Sequence, residues 1–201
     1  DVVDQDSLQV ASNQLIQAFG GLDILVNCAG GTKPEATTSP ERSFFELDPE
    51  AFRDVIDLNL TGTFLPSQVF GKLIAEKGKG NIINIASMTS FLPLTRTVAY
   101  SASKAAVANF TKWLATYMNE NVSKEIRVNA VAPGFLLTTQ NEYLLKQPDG
   151  SPTERGQKVL AKTPMGRYGD PEEIAEAVLW LCSDAARFVN GVILPVDGGF
   201  S

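Results

Sequence analysis

Four short apolar runs, separated by helical patterns, restrict the fold of this chain more than any other feature. They cover residues 22–30, 81–87, 126–133 and 191–199. Each run is nearly continuous in apolar residues rather than alternating, which is typical of strands buried on both faces of a parallel sheet. Because strand and helix patterns alternate along the chain, the sequence predicts an α/β fold with a doubly wound parallel sheet.

Capping signals mark the helices between these runs. Asp48 precedes a proline and predicts the start of a helix that runs to about Lys77, with a kink at Pro66. A second helix is predicted over roughly 98–121. A third begins after Asp170, where a proline at the first helical position and a glutamate two residues later complete a capping box.

The remaining long segment, residues 134–169, is rich in Gly, Pro and Thr and is predicted to be irregular. A segment of this length is often a lid or a substrate-binding loop. The length of 201 residues suits one domain, so we expect residues 1–201 to form a single unit in which 134–169 contacts the substrate.

Composition excludes several classes of protein. The chain has no histidine, which excludes a Ser-His-Asp triad, and its two cysteines, Cys28 and Cys182, cannot form the common zinc sites. We therefore predict no metal site, and we expect both thiols to stay free in a reducing cytoplasm. The net charge of −6 argues against a nucleic-acid partner. No apolar run approaches the roughly 20 residues that cross a bilayer, so we expect no membrane partner.

Without histidine, the pair Tyr100 and Lys104 is the best candidate for acid–base chemistry near neutral pH. Residues four apart share one face of a helix. A free phenol has a pKa of about 10, and a neighbouring positive charge can lower it. Taken alone, the spacing is also common for two surface residues.

Two further polar residues favour acid–base chemistry at Tyr100 and Lys104 over the alternative of two surface residues. Ser87 ends a predicted buried strand 13 residues before Tyr100, so its hydroxyl can meet the phenol across the strand–helix connection. Asn59 lies in an apolar helical stretch, where an unpaired amide would be costly. It could bond a neighbouring backbone carbonyl, or it could hold a water that supplies protons to Lys104.

Together these motifs resemble the short-chain dehydrogenase/reductase family, in order and spacing and over the whole chain. "NCAG" at 27–30 is similar to the family's Asn-Asn-Ala-Gly, with Cys28 in place of the second Asn, and "PGFLLT" at 133–138 is similar to its Pro-Gly-x-x-x-Thr. The resemblance implies a Rossmann-like oxidoreductase that moves a hydride between the nicotinamide of NAD or NADP and a carbonyl or alcohol.

The resemblance also implies a role for each site residue. Tyr100 would be the general acid or base, and Ser87 would donate a hydrogen bond to the substrate oxygen. Lys104 would lower the pKa of Tyr100 and bond the nicotinamide ribose, while Asn59 would position a relay water. With Tyr100 and Lys104, the implied cofactor-binding residues are Asp1, Val2, Asn27, Ala29, Gly30, Pro133, Gly134, Leu136 and Thr138.

The sequence departs from the family pattern at its start. It opens at Asp1-Val2, which resembles the end of the family's third strand, and it lacks the glycine-rich turn that holds the pyrophosphate. We expect it to be a portion of a longer chain, short of two βα units of about 30 residues each. Without them, the strand in 22–30 should be an exposed apolar edge. The residue that discriminates NAD from NADP would lie in that missing portion.

Segments 57–70, 81–115 and 134–169 resemble the branch of the family containing fructuronate reductase and D-mannonate oxidoreductase, which implies a sugar-acid substrate. Arg96 or Lys33 could bind its carboxylate, although each could equally be a surface charge. Gln140 and Asn141 could bond sugar hydroxyls.

Two alternatives stay open: a reductase or dehydrogenase of another polyol, sugar or 3-oxoacyl thioester, and a non-catalytic oligomeric scaffold. The small residues of 99–110 permit close helix contact. Because the family usually assembles through its two long helices, the resemblance implies a homo-oligomer, with a tetramer expected.

Overall fold

The computed structural model describes residues 1–93, 96–139 and 141–201. Within them, four parallel strands form one sheet in the order β1-β2-β3-β4. The strands are β1 (Ile24–Asn27), β2 (Lys79–Ile85), β3 (Glu125–Pro133) and β4 (Ile193–Val196). The predicted parallel sheet is confirmed. β1 and β4 are shorter than their apolar runs because the glycine and polar residues that end those runs lie in the following turns.

Seven α-helices accompany the strands in the described residues. They are α1 (Gln5–Phe19), α2 (Pro49–Ile56), α3 (Gly62–Lys77), α4 (Val98–Asn121), α5 (Glu142–Leu145), α6 (Glu154–Lys162) and α7 (Pro171–Cys182). The bounds predicted for α4 are confirmed. The predicted start of α7 is also confirmed, and its capping box forms between Asp170 and Glu173.

The helix predicted over 48–77 is interrupted, but not where we expected. α3 runs through Pro66, and the departure from α-helical geometry is a π turn at Asp57–Thr61. A proline ring crowds the carbonyl four residues before it, here Gly62, and the wider turn immediately ahead gives that backbone room. The observed departure from α-helical geometry therefore surrounds Asn59, a few residues before Pro66.

The segment 134–169 is not wholly irregular, because it contains α5 and α6. The Thr153 hydroxyl caps α6 by accepting a hydrogen bond from the Gly156 amide at 3.0 Å. The Thr153 amide donates to the Leu145 carbonyl at 2.9 Å, which ties α6 to the end of α5. A side chain at Gly156 would collide with the same carbonyl. The two short helices thus form one packed unit over the carboxyl edge of the sheet.

Helices cover both faces of the sheet. On one face, α3 and α4 bury a cluster that includes Ile74, Ile82, Leu114, Met118 and Val128. On the other face, α7 packs on a cluster that includes Ile83, Val131, Ile174 and Leu181. Neighbouring residues of β2 and β3 therefore point to opposite cores, as the continuous apolar runs predict.

A chain of buried polar side chains links the sheet to α3 and α4. The Asn27 amide group donates to Asn84 Oδ1 at 2.8 Å and to Ser67 Oγ at 2.9 Å. Asn84 donates in turn to Thr111 Oγ1 at 2.9 Å. Because each partner sits on a different element, these bonds fix the end of β1 and the loop that follows it.

The strand β1 lies at the edge of the described sheet, paired only with β2. Ile24 and Val26 are 41% and 37% exposed there, so the expected apolar edge is present. Across the described ranges, no helix is both long enough and apolar enough to span a bilayer.

Candidate active site

The structure brings Tyr100 and Lys104 together on the first turns of α4. The Lys104 ammonium lies 5.5 Å from the centre of the Tyr100 ring and donates a hydrogen bond to the Ile85 carbonyl at 2.7 Å. Lys104 is only 3% exposed. Among the described residues no carboxylate pairs with this ammonium, so a buried positive charge stands beside the phenol.

Burial dominates the ionisation of this pair. It lowers the pKa of Lys104 from its usual value near 10.5 to about 8. Burial also raises the pKa of Tyr100, and a hydrogen bond with Ser87 opposes that rise. Desolvation is the larger of these two effects on the phenol, and the lowering of the Tyr100 pKa by Lys104, which the resemblance implies, stays a prediction.

Ser87 meets Tyr100 as predicted. It follows β2 by two residues, and its hydroxyl accepts a hydrogen bond from the Thr89 amide at 3.2 Å. That bond caps the 3₁₀ turn Met88–Ser90 and holds the hydroxyl at the carboxyl edge of the sheet. The connection between β2 and α4 thus places Ser87 against the phenol.

Asn59 holds the loop that follows β1. Its side chain is fully buried, and Nδ2 donates to the carbonyls of Gly31 and Val55 at 2.7 and 2.8 Å. Its Oδ1 accepts from the Gly31 amide at 3.1 Å. Both hydrogens of Nδ2 are used, so of the two roles considered for this side chain, the contact with a backbone carbonyl is present. A side chain at Gly30 would lie 2.7 Å from Asn59 Oδ1 and 3.2 Å from Lys104 Nζ.

A cleft of about 250 Å³ opens beside the phenol. It is lined by Ile85, Ala86, Ser87, Tyr100, Pro133, Gly134, Phe135, Leu136, Thr138 and Asn141. Six of the predicted site residues therefore share one cavity, at the carboxyl ends of β2 and β3. This is where ligands bind in open parallel sheets.

The loop that closes this cleft is held by Asn141. Asn141 donates to the Leu136 carbonyl at 2.8 Å and accepts from the Thr138 amide at 2.9 Å. Its amide group is thus bonded within its own loop, which disfavours the predicted contact with sugar hydroxyls. The other candidate for that contact, Gln140, lies outside the described residues.

Some predicted cofactor-binding residues lie elsewhere. Asp1 and Val2 are not among the residues of the cleft, and Val2 packs on α3 near Gly62. The Asn27 side chain faces the interior, so only its backbone is at the sheet edge. Ala29 and Gly30 lie in the loop held by Asn59.

The two predicted carboxylate-binding cations have different surroundings. Lys33 pairs with Asp54 at 2.5 Å on the surface, so its charge is already matched. Arg96 lines a second cavity of about 660 Å³, which shares Phe135 with the cleft beside Tyr100. Three more cations line that cavity: Arg155, Lys158 and Lys162 of α6. Sequence reasoning missed them because the segment was predicted to be irregular.

Comparison with known proteins agrees with this geometry. A family model described as enoyl-(acyl carrier protein) reductase matches residues 1–201. An uncharacterized oxidoreductase of Haemophilus influenzae is 47% identical over 212 residues, which cover 100% of this chain and 73% of the relative. A cis-4-hydroxycyclohexanecarboxylate dehydrogenase of Sinomonas cyclohexanicum is 39% identical over 202 residues, covering 100% of this chain and 74% of the relative.

A solved structure is similar over the whole chain. It is an NAD-bound crystal structure from Haemophilus influenzae, provisionally assigned as a D-mannonate oxidoreductase. The similarity has a TM-score of 0.91 at 47% identity and covers 100% of this chain and 74% of the other. The chain therefore belongs to the short-chain dehydrogenase/reductase family, and it is an oxidoreductase.

Proposed function

We propose that the protein is an NAD(P)-dependent oxidoreductase that transfers a hydride between the nicotinamide and the carbonyl or alcohol carbon of a sugar acid. The observation that carries this proposal is that Tyr100 and Ser87 line one cleft, with the Lys104 ammonium buried beside the Tyr100 ring. The NAD in the similar structure supports the cofactor, and the provisional assignment of that structure supports the substrate. The Sinomonas relative is likewise named for a substrate with a carboxylate.

The cleft fits a nicotinamide. The Leu136 amide faces no acceptor among the described residues, so it is available to a carboxamide oxygen. Gly134 lines the cleft, and a Cβ there would lie 2.6 Å from the Asp197 Cα, so only backbone borders the cleft at this position. We infer that the cofactor is held by Ala29, Gly30, Lys104, Pro133, Gly134, Leu136 and Thr138, with contributions from the backbone at Asp1, Val2 and Asn27. When bound, the nicotinamide supplies or accepts the hydride.

The protein's own groups handle the proton. In the direction of reduction, the Tyr100 hydroxyl gives its proton to the substrate oxygen as the hydride reaches the carbon, so the carbonyl becomes an alcohol. Ser87 donates a hydrogen bond to the same oxygen as charge develops on it. The Lys104 ammonium stabilises the resulting phenolate. In oxidation the phenolate takes the proton back.

The substitution Tyr100→Phe tests this role. It removes only the hydroxyl, so we expect kcat for reduction of D-fructuronate by NADH, followed by loss of NADH absorbance, to fall by roughly 10²- to 10⁴-fold. Tyr117→Phe removes a hydroxyl but keeps the aromatic ring at an exposed position of the same helix, and it serves as the control. Activity of Tyr100→Phe within a few-fold of wild type, with an unchanged circular dichroism spectrum, would contradict the proposal.

A second candidate substrate is a 3-oxoacyl thioester, because a 3-oxoacyl-[acyl-carrier-protein] reductase of Thermotoga maritima is 33% identical to this chain over 199 residues. Parallel assays with a 3-oxoacyl thioester and with D-fructuronate separate the two. The charged cavity beside the cleft favours the sugar acid.

We also propose a homo-oligomer, a tetramer, formed through α3 and α4. An aromatic row runs along α4, in which Phe110 stacks on Trp113 and Trp113 on Tyr117 at 6.4 and 5.2 Å between ring centres. Trp113 is 57% exposed, so the row is available for a second copy of the chain. Light scattering that gives a monomer would contradict this.

We place the enzyme in the cytoplasm, where its free thiols stay reduced.

A further inference from the structure

The cavity of about 660 Å³ between the start of α4, α6 and the carboxyl terminus carries an excess of positive charge. Its lining includes four cationic side chains, Arg96, Arg155, Lys158 and Lys162, and one carboxylate, Glu154. Glu154 bonds Lys158 at 2.6 Å. Among the described residues, the other three cations have no acidic partner. A local excess of three positive charges is notable in a chain whose net charge is −6.

The two arginines lie close enough to repel one another. Arg155 is half-buried, and both its burial and the charge of Arg96 lower its pKa. Two like charges held together, one of them partly desolvated, are unfavourable in the absence of an anion. A guanidinium can bind a carboxylate through two parallel hydrogen bonds, which makes a carboxylate a suitable partner for this pair.

This cavity adjoins the cleft beside Tyr100. Phe135 lines both cavities, and it packs edge-on against Phe200 at 5.3 Å between ring centres. Arg96 and Thr97 line the cavity immediately before α4, which carries Tyr100 in its first turn. A ligand whose reacting carbon lies at Tyr100 can therefore extend past Phe135 toward the two guanidiniums.

We infer that Arg96 and Arg155 form a carboxylate-binding subsite that makes the enzyme specific for acid substrates. Lys162, at the far end of α6, adds to the attraction of an anion into the cavity. The inference rests on the proposed function in one respect, because it takes the substrate of Tyr100 to be the ligand of this subsite.

Calorimetric titration tests the subsite independently of turnover. The probes are D-mannonate and D-mannitol, which differ by a carboxylate in place of a CH₂OH group, each titrated with and without NADH. We expect wild type to bind mannonate more tightly than mannitol. Arg96→Gln and Arg155→Gln should each raise the Kd for mannonate roughly 10- to 100-fold and leave mannitol unchanged.

Two further variants make the result specific. Arg155→Lys keeps the charge but not the planar fork, so its Kd should fall between those of wild type and Arg155→Gln. Arg187→Gln removes an exposed arginine beyond the end of α7, at the opposite edge of the sheet, and should bind mannonate like wild type. Thermal melting of each variant checks that α6 still folds.

The outcomes separate the two proposals. The subsite is overturned if wild type does not prefer mannonate to mannitol, or if both glutamine variants bind mannonate as wild type does. If mannonate binding depends on Arg155 but Tyr100→Phe keeps full activity, the subsite stands and the catalytic proposal fails. With both correct, Arg155→Gln raises KM for fructuronate roughly 10- to 100-fold with a much smaller change in kcat.

Discussion

The buried ammonium of Lys104 should make the stability of this protein depend on pH in a way that one substitution can isolate. Lys104→Met keeps the length and much of the volume of the side chain but removes the charge. Burial lowers the pKa of Lys104 in the folded protein from near 10.5 to about 8. The unfolded chain therefore binds a proton more strongly than the folded one does.

The sign and size of the effect follow from that difference. Below pH 8 both states carry the charge, and the cost of burying it is present in full. As the pH rises from about 8 to 10.5, the folded state gives up its proton first, so wild type gains stability relative to Lys104→Met. The difference of about 2.5 pH units corresponds to about 3 kcal/mol over the whole range. Between pH 7 and pH 10 we expect a gain of about 2 to 3 kcal/mol.

Urea unfolding of both proteins at several pH values between 7 and 10, without cofactor, measures this gain. The quantity of interest is the difference in the free energy of unfolding between wild type and Lys104→Met. Lys112→Met removes an exposed ammonium from the same helix and controls for the general effect of pH. A difference between wild type and Lys104→Met that stays constant to within about 0.5 kcal/mol would refute the reasoning.

Two other substitutions probe the packing around the site. Gly30→Ala places a methyl group 2.7 Å from Asn59 Oδ1, so we expect kcat/KM in steady-state assays to fall at least tenfold. Gly31→Ala is the control, because its methyl group meets only an ordinary van der Waals contact and its kcat/KM should stay near that of wild type. Arg127→Met removes a guanidinium that donates to the Leu181 carbonyl at 2.6 Å, and unfolding in urea should show a loss of about 2 kcal/mol. An unchanged kcat/KM for Gly30→Ala, or an unchanged free energy of unfolding for Arg127→Met, would contradict these contacts.

Local signals in the sequence were sufficient for α7 and for the strands whose carboxyl ends border the cleft. The cap, proline and glutamate that begin α7 lie within four residues of one another, and the apolar runs of β2 and β3 are continuous. The separation of Ser87 from Tyr100 is short, so the strand–helix connection alone restricts how far apart they can lie. For these groups, residue type and spacing predicted the observed placement.

Other features depend on tertiary contacts that the sequence does not display. α6 carries a glycine in its first turn, and its packing on Leu145 makes a helix of a segment whose composition indicates a loop. Arg155 reaches the cavity of Arg96 only through that packing, although the two are far apart in the chain. The pKa of Tyr100 likewise reflects burial, which no spacing of Tyr and Lys reveals.

The π turn at Asp57–Thr61 has a consequence for how this region tolerates changes in length. A π turn carries one residue more than the α-helix it interrupts. Because the wider turn accommodates that residue, deleting one residue of 57–61 other than Asn59 would restore a regular helix and leave α2 and α3 in the same rotational phase. Ala51 and Val55 would then keep their contact with Ala99 at the start of α4. A deletion within the regular part of α2 would instead rotate the residues before it by about 100° and break that contact. The π turn is therefore the point in this stretch at which the chain can change its length by one residue.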